Sequence, residues 1–322
     1  MATAGSDFAR TIRRELISRN CNYFDAEPAP AMLPPQRHDE FGFGQFSARY
    51  GRIPTVAQLR QLAERAFGLR TFEETIWESD GRFYDVFRPV VEPNGYVSAE
   101  EVGHCRDSHL RNVRRLFEEA HVLVFALGRT EAWRSRADGL VHPMRPGTVA
   151  GTFDPETYEH VVFAADDVVA DFEAFMAIVR GANPDIKFIL TDSPASAVEM
   201  TDDRSGTSAT NSAREVLRTA AETLRARYDC IDYLRTGEPA TSSDVPFAVR
   251  TGDGRLDEDL EMAMDAFFSE HGEGSVEMLA GAEDPALRLA REAAEMLMAR
   301  QQEICDDLMT EAAKGEDREG PS

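Results

Sequence analysis

The stretch that decides the fold reads Ala2-Thr3-Ala4-Gly5-Ser6-Asp7-Phe8-Ala9, where a short apolar run ends in Gly-Ser and a helical pattern begins. Apolar residues then recur at the spacing of one helix face over residues 8–19, which predicts an amphipathic helix. Ser6 is therefore expected at a strand-to-helix turn, where the first backbone N–H groups of a helix have no internal partner. Two interpretations stay open at this point. Either Ser6 caps the helix, or its hydroxyl is an exposed nucleophile with N–H groups nearby to receive an oxyanion.

The composition bounds the size of the protein and its partners. The chain has 322 residues and 42% hydrophobic content, which corresponds to one large or two ordinary domains. Its net charge of −23 predicts no binding to nucleic acid and no binding to an anionic membrane surface, because phosphate groups would be repelled. No apolar run is long enough for a membrane helix. We expect a small-molecule or glycan substrate as partner, and the oligomeric state stays open.

The four cysteines and the N-terminal residues indicate the cellular compartment of the protein. Cys21, Cys105, Cys230 and Cys305 are far apart and form no CxxC pair, which predicts reduced thiols rather than a disulfide framework or a zinc site. The chain does not begin with a basic segment followed by an apolar one, so no signal peptide is expected. These features together predict a cytoplasmic protein.

Strand and helix patterns alternate along the chain. Strands are predicted before Ser6 and over Cys21–Phe24, His121–Leu127, Ile186–Thr191 and Ile231–Leu234. Helices are predicted over Phe8–Arg19, Thr55–Phe67, His104–Ala120, Val162–Val179, Asn211–Arg227, Leu256–Phe268 and Pro285–Met309. An irregular insert is expected at about residues 70–103, and a loop over Asp138–Asp154. This alternation predicts an α/β fold, a three-layer α/β/α sandwich around a parallel sheet.

Three polar segments directly follow predicted strands. They are Ser6, the run Gly128–Glu131, and Asp192–Ser193. In open parallel sheets the ligand site lies beyond the carboxyl ends of the strands. The sequence therefore predicts a site where these three segments meet.

A serine nucleophile needs a base, and the histidines offer no decisive candidate. His142 lies on the loop after Thr130–Trp133 and is a weak candidate base, whereas His109 is expected to pack inside a helix. His121 begins a strand at the opposite end of the sheet, and His271 has no Asp three residues before it. No glycine-rich phosphate loop and no grouping with metal-ligand spacing is present, so neither a cofactor nor a metal is predicted.

Several motifs, in the same order, resemble those of the GSCFA family. Thr3–Ala9 resembles the motif that opens the family pattern, with Asp7 in place of its Cys. Ser47-Ala48-Arg49-Tyr50-Gly51 resembles the second block, and Leu127–Trp133 resembles the third. The loop from Asp138 to Thr148 and the stretch from Asn183 to Pro194 also follow the family. The resemblance runs from Met1 to about Phe268.

The resemblance carries expectations about fold, domains and chemistry. GSCFA domains are similar to SGNH (GDSL-type) hydrolases, so a GSCFA/SGNH-like domain is expected over residues 1–270. A C-terminal helical extension is expected at 275–313, with a disordered tail at 314–322. Family members are often encoded with polysaccharide genes, which suggests ester chemistry on glycans. The activity implied is that of a serine esterase or acyltransferase acting on O-acyl groups.

Carried over residue by residue, the resemblance implies a set of site residues. Ser6 would be the nucleophile, and Gly51 would supply an oxyanion-hole N–H. Gly128 and Thr130 would occupy the block that holds a Gly and an Asn in SGNH enzymes. The site residues expected beside these are Arg49, Glu131 and Ser193.

The departures from the family pattern leave two hypotheses open. A carboxylate at Asp7 would oppose a developing oxyanion if it pointed inward. The family's His after the Ser-Pro segment aligns with Ser205, and the Thr251–Leu256 stretch lacks a His. The chain is then either an active enzyme whose base lies elsewhere, such as His142 or an acidic group, or a lapsed domain that binds a glycan or protein partner.

Overall fold

The computed structural model describes residues 1–192 and 207–235, with the side chains of 207–211 left aside. Several sequence predictions lie outside the described residues. They are Ser193, Ser205, His271, the Thr251–Leu256 stretch, the helices Leu256–Phe268 and Pro285–Met309, the domain limit at residue 270, and the extension and tail at 275–313 and 314–322.

Strands and helices are interspersed along the described part of the chain. They are β1 (Ala2–Gly5), α1 (Phe8–Ser18), α2 (Val56–Ala66), β2 (Ile76–Ser79), β3 (Arg82–Asp85), α3 (Ala99–Glu119), β4 (Val122–Leu127), β5 (Glu131–Ser135), β6 (Val141–His142), β7 (Tyr158–Val162), α4 (Ala165–Ala182), β8 (Lys187–Asp192), α5 (Thr207–Arg227) and β9 (Ile231–Leu234). A 3₁₀ turn covers Pro35–Arg37.

A parallel sheet in the order β1-β4-β8-β9 forms the centre of the molecule. All six residues of β4 are buried, as expected for a strand that is covered on both faces. Helices flank this sheet, which confirms the predicted three-layer α/β/α sandwich. Aromatic packing ties a helix to the sheet, since the rings of Phe172 and Phe175 in α4 lie 5.6 and 5.8 Å from that of Phe188 in β8.

Helix α2 begins where the sequence predicts. The Thr55 hydroxyl accepts a hydrogen bond from the Gln58 N–H at 3.4 Å, and the Gln58 side-chain oxygen accepts one from the Thr55 N–H at 3.1 Å. This reciprocal capping box satisfies two N–H groups that would otherwise lack partners. The helix packs against α3 and α4.

Four local predictions need correction. Cys21–Phe24 is not a strand, because it forms no continuous hydrogen-bond ladder with another strand. It contacts Met1 through the Phe24 N–H, which donates to the Met1 oxygen at 2.7 Å, and the Asn22 oxygen, which accepts from the Met1 amino group at 2.5 Å. The expected irregular insert contains the antiparallel hairpin β2–β3. Its turn is Asp80-Gly81, with φ values of 50° and 70°, a dipeptide typical of tight hairpins. The predicted loop over Asp138–Asp154 contains β6.

The fourth correction moves two helix boundaries. Residues 158–162 form strand β7, so α4 begins at Ala165 and not at Val162. Helix α3 begins at Ala99 and not at His104, because Ser98 accepts a capping hydrogen bond from the Glu101 N–H at 3.1 Å. Helix starts in both places depend on caps and strand pairing rather than on apolar spacing alone.

A second sheet, in the order β6-β5-β7, lies against α2. Ala132 and Val141 of this sheet form a small buried cluster with Ala57 of the helix. The β2–β3 hairpin and neighbouring loops form another cluster around Trp77. Within the described residues, no helix combines the length and apolarity needed to cross a bilayer. Cys21, Cys105 and Cys230 are free thiols.

Candidate functional site

Three strand ends lie side by side at one edge of the central sheet. In the register of the sheet, Gly5 pairs with Ala126, and Leu127 pairs with Asp192. Ser6 continues this pairing, because its N–H donates to the Ala126 oxygen at 2.9 Å. The structure thus brings together the ends of β1, β4 and β8, the edge at which ligands bind in parallel sheets.

The turn that presents Ser6 depends on Gly5. The φ angle of Gly5 is +121°, a region that side chains rarely allow, and a Cβ atom there would lie 2.2 Å from the Ala126 oxygen. β1 can therefore approach β4 closely up to its last residue and then turn at once into α1. Ser6 itself is 7% exposed, and its carbonyl oxygen accepts a hydrogen bond from the Ala9 N–H at 3.0 Å.

Gly128 packs directly against Ser6. A Cβ atom at Gly128 would lie 3.1 Å from the Cβ of Ser6 and 2.8 Å from the backbone oxygen of Pro54. The same Pro54 oxygen accepts a hydrogen bond from the Arg129 N–H at 2.9 Å, and the Ile53 N–H donates to the Gly5 oxygen at 2.9 Å. The segment before α2 therefore holds the ends of β1 and β4 together, and glycine at 128 leaves room for all three backbones.

The Asp7 carboxylate is held by arginines at the surface. It lies 3.2 Å from Arg52 and 3.9 Å from Arg10, and its side chain is 37% exposed. Asp7 flanks the start of α1 but makes no side-chain capping hydrogen bond. This arrangement is not the inward orientation that would oppose an oxyanion, and the two guanidinium groups offset the negative charge.

The run after β4 leads into the second sheet. Thr130 is buried, and its backbone oxygen accepts a hydrogen bond from the Phe163 N–H at 2.6 Å. Glu131 opens β5, and its carboxylate lies 3.3 Å from Nε2 of His160 on β7. No local pattern in the sequence indicates His160, since only the pairing of β5 with β7 brings it next to Glu131.

Asp192, at the end of β8, is anchored to α5. Its carboxylate is 1% exposed and accepts hydrogen bonds from Nε of Arg214 at 3.2 Å and Nε of Arg218 at 2.9 Å. Charge-assisted hydrogen bonds of this kind compensate the cost of burying a carboxylate. The anchor fixes the third strand end of the site, and Ser193 follows it outside the described residues.

His142 is sealed inside the protein. Its ring is 2% exposed, is stacked on Trp77 at 5.3 Å and lies edge-on to Tyr158. Neither ring nitrogen has a hydrogen-bond partner among the described residues. Burial lowers the pKa of His142 to about 4, so the ring is neutral at pH 7. The structure gives this candidate base the environment of a core residue, as predicted for His109.

Arg49 and Gly51 lie on the segment that leads to Ile53. Arg49 is buried and donates hydrogen bonds to the backbone oxygens of Phe41 at 2.5 Å and Val91 at 2.6 Å, and it pairs with Glu92 at 2.5 Å. Its guanidinium is thus committed to holding two loops together. Gly51 has a φ of +69° and lies against Val91.

His109 is buried in α3 and paired with a carboxylate. Nδ1 of its ring lies 2.6 Å from the Glu27 carboxylate. Burial and the nearby Arg88 lower the pKa of His109 to about 4, despite the opposing effect of Glu27. The ring is therefore neutral at pH 7. In the part of the chain that the structure describes, no three His, Cys, Asp or Glu side chains are grouped to hold a metal ion.

Comparison with known proteins places the chain in a family. The family model described as GSCFA family matches residues 1–236, most of the chain, and ends before the limit near Phe268 expected from the motifs. No curated protein and no solved structure is significantly similar to the chain. The chain therefore belongs to the GSCFA family.

Proposed function

We propose that this GSCFA-family protein is an SGNH-like serine hydrolase or acyltransferase that acts on ester groups, such as the O-acyl groups of polysaccharides. The observation that carries the proposal is the position of Ser6. It follows β1 directly, precedes α1, and lies against Gly128 at the ends of two further strands. That is the edge of a parallel sheet at which ligands bind.

The chemistry assigned to Ser6 is acyl transfer. Its hydroxyl oxygen attacks the ester carbonyl, the alcohol leaves with a proton, and an acyl-serine remains. Water then releases the acid in a hydrolase, whereas a second alcohol takes the acyl group in a transferase. Backbone N–H groups at the start of α1 and at Gly51 and Gly128 are the proposed donors to the oxyanion. Thr130 is the proposed side-chain neighbour of these donors.

The outward Asp7 carboxylate supports this proposal. Because Arg52 and Arg10 hold it at the surface, its charge does not face the Ser6 hydroxyl from within the turn. The replacement of the family Cys by Asp is thus compatible with a working nucleophile. A carboxylate at the N-terminus of a helix, where Asp7 is the N-cap residue of α1, also interacts favourably with the helix dipole.

The second candidate function is binding of a glycan or protein partner without hydrolysis. The observation that favours it is the packing of His142, whose neutral ring stacks on Trp77 away from solvent. A pocket that keeps Ser6 and Gly128 without a base could still bind an ester. The two functions differ in whether the Ser6 hydroxyl reacts.

Labelling with a fluorophosphonate probe, together with hydrolysis of an aryl acetate, distinguishes the two functions. If Ser6 is the nucleophile, the wild-type protein is labelled and turns over the acetate, and Ser6→Ala abolishes both. Ser18→Ala is the matched control, because Ser18 is an exposed residue at the end of the same helix, α1. No labelling of folded wild-type protein would refute the hydrolase and support the binding function.

The base is tested in the same assay. His160→Gln removes the imidazole that lies next to Glu131, and His142→Phe removes the sealed one. If His160→Gln loses turnover and labelling while His142→Phe retains both, the base is His160. If only His142→Phe loses turnover and labelling, the base is His142.

A further inference from the structure

A cleft lined by arginines opens between α2 and the segment that precedes it. We call it the arginine cleft, and its charged lining consists of Arg52, Arg65 and Arg88. Its cavity is small, about 20 Å³, and is open to solvent at its mouth. Among the described residues, the lining contains no Asp or Glu, although the chain has 58 acidic residues against 35 Lys and Arg. The local charge therefore opposes the overall charge of the protein.

Two of the three arginines have carboxylate partners. Arg88 donates from Nε to Asp85 at 3.0 Å, and Arg52 lies 3.2 Å from Asp7. Asp85 is also paired with Arg106, at 3.1 Å. Burial alone would raise the pKa of Asp85, but Arg88, Arg106 and Arg65 together lower it. Asp85 is thus already shared by Arg88 and Arg106, and Arg88 also lies 3.9 Å from Glu27.

Arg65 differs from the other two. Its guanidinium carbon lies 3.5 Å from the ring centre of Phe87, and its Nε donates only a long hydrogen bond, to the Gln61 backbone oxygen at 3.4 Å. Within residues 1–192 and 207–235 it forms no ion pair. Burial, with the charges of Arg106 and Arg88, lowers the pKa of Arg65 to about 9, against the opposing effect of Asp85. A negative charge in the cleft would relieve this unfavourable environment.

Gln58 adds a neutral donor to the lining. Its side-chain oxygen accepts hydrogen bonds from the N–H and the hydroxyl of Thr55, at 3.1 and 2.9 Å. The NH₂ group is the part of this amide that remains to donate to the cleft. His109 also lines the cleft but is neutral, so it adds no charge. A guanidinium and an amide NH₂ form a set of donors suited to an oxyanion.

We propose that the arginine cleft binds a small oxyanion group, a carboxylate, phosphate or sulfate, at the Arg65 guanidinium. This inference goes beyond the proposed ester chemistry and does not depend on the Ser6 hydroxyl. The bound group can be a free anion or the anionic part of a larger molecule. The shared chemistry is a planar or tetrahedral set of oxygens that accepts two N–H bonds from arginine.

The test measures the binding of sodium acetate, sodium phosphate and sodium sulfate to the full chain by thermal unfolding at constant ionic strength. A ligand that binds only the folded state raises the unfolding midpoint in a saturable way. We expect at least one probe to do so for the wild-type protein, and Arg65→Met to weaken that binding by about tenfold or more, as for a charged hydrogen bond. The probe that binds most tightly identifies the class of oxyanion.

Two controls separate binding from general effects of charge. Arg60→Met removes the same charge from the same helix, but Arg60 pairs with Asp171 at 2.8 Å and does not line the cleft. It should retain the wild-type affinity. Ser6→Ala should also retain it, so that failure of the ester chemistry and failure of this inference are distinguishable.

The absence of saturable binding of all three probes to the wild-type protein would overturn the inference. Equal affinity of the wild type and Arg65→Met would overturn it as well. Without a probe, Arg65→Met should be at least as stable as the wild type, because its stem still packs on Phe87 and no ion pair is broken. Should that variant not fold, Arg65→Lys decides: it keeps the charge but lacks the two-pronged donor geometry, and unchanged affinity for every probe would contradict the proposal.

Discussion

Replacing Gly5 with alanine is expected to disrupt the turn on which the candidate site rests. A Cβ atom at this position would lie 2.2 Å from the oxygen and 2.7 Å from the nitrogen of Ala126, which are backbone atoms of the central strand β4 and cannot rotate away. The φ angle of +121° adds strain for any residue with a side chain. The substitution is therefore expected to destabilise the fold for two reasons, the steric clash and the backbone strain.

The magnitude follows from these two effects. A positive φ costs a residue with a side chain about 1–2 kcal/mol, and forcing an extra carbon into a packed core costs about 1–3 kcal/mol. Gly5→Ala should thus lower the free energy of unfolding by about 2–5 kcal/mol. That is a large part of the roughly 5–15 kcal/mol by which domains are stable.

Urea unfolding followed by tryptophan fluorescence measures this difference. Gly103→Ala is the matched control, because Gly103 lies within α3 and a Cβ atom there would meet no atom within 4 Å. In a helix interior the same change should raise stability by about 0.5–1 kcal/mol. The two variants are predicted to shift the midpoint in opposite directions. A Gly5→Ala protein as stable as the wild type would refute the close approach of β1 and β4.

Two further predictions concern buried ionisable groups. Asp85→Asn removes the nearer carboxylate partner of the buried Arg88, at 3.0 Å, and leaves it only the longer contact with Glu27, at 3.9 Å. Chemical denaturation should therefore show a loss of about 3–5 kcal/mol, and an unchanged midpoint would contradict the Asp85–Arg88 ion pair. His142 has a folded pKa of about 4, below its unfolded value of about 6.5, so it contributes stability that is present above pH 6.5 and lost as the pH falls toward 4. Between pH 7.5 and 4.5, the free energy of unfolding of the wild type should therefore fall by about 2–3 kcal/mol more than that of His142→Phe. If the free energy of unfolding had the same pH dependence in both proteins, the burial of a neutral His142 ring would be contradicted.

The central sheet could be predicted from sequence because its signals are local. The apolar run of β4 and the Gly-Ser junction after β1 each indicate their own structure, and strands that alternate with helices indicate a parallel sheet. The hairpin of β2 and β3 was also readable, from Asp80-Gly81, but its mixed aromatic and charged residues hid the alternation. The sequence pattern does not indicate strand β7, because its last residue, Val162, also begins the apolar spacing of α4.

The candidate site likewise has features that the sequence predicts and features that it does not. The edge that carries Ser6, Gly128 and Asp192 follows from chain order alone, since parallel strands place their carboxyl ends together. By contrast, no local pattern tells whether the Asp7 side chain points toward Arg52 or into the turn. The packing of His142 on Trp77 depends likewise on a contact between segments more than sixty residues apart.

By itself, then, the sequence determined the α/β class, the family and the edge at which Ser6 stands, because these depend on periodicity, on turn residues and on chain order. Only the tertiary structure decided which charges are paired. It turned Asp7 outward and committed Arg49 to backbone oxygens. It also left Arg65 over Phe87 in a cleft that no carboxylate of the described residues lines. Charge pairing between distant residues is set by how the layers pack. The presence of an arginine in the sequence therefore does not indicate whether a carboxylate lies next to it in the fold.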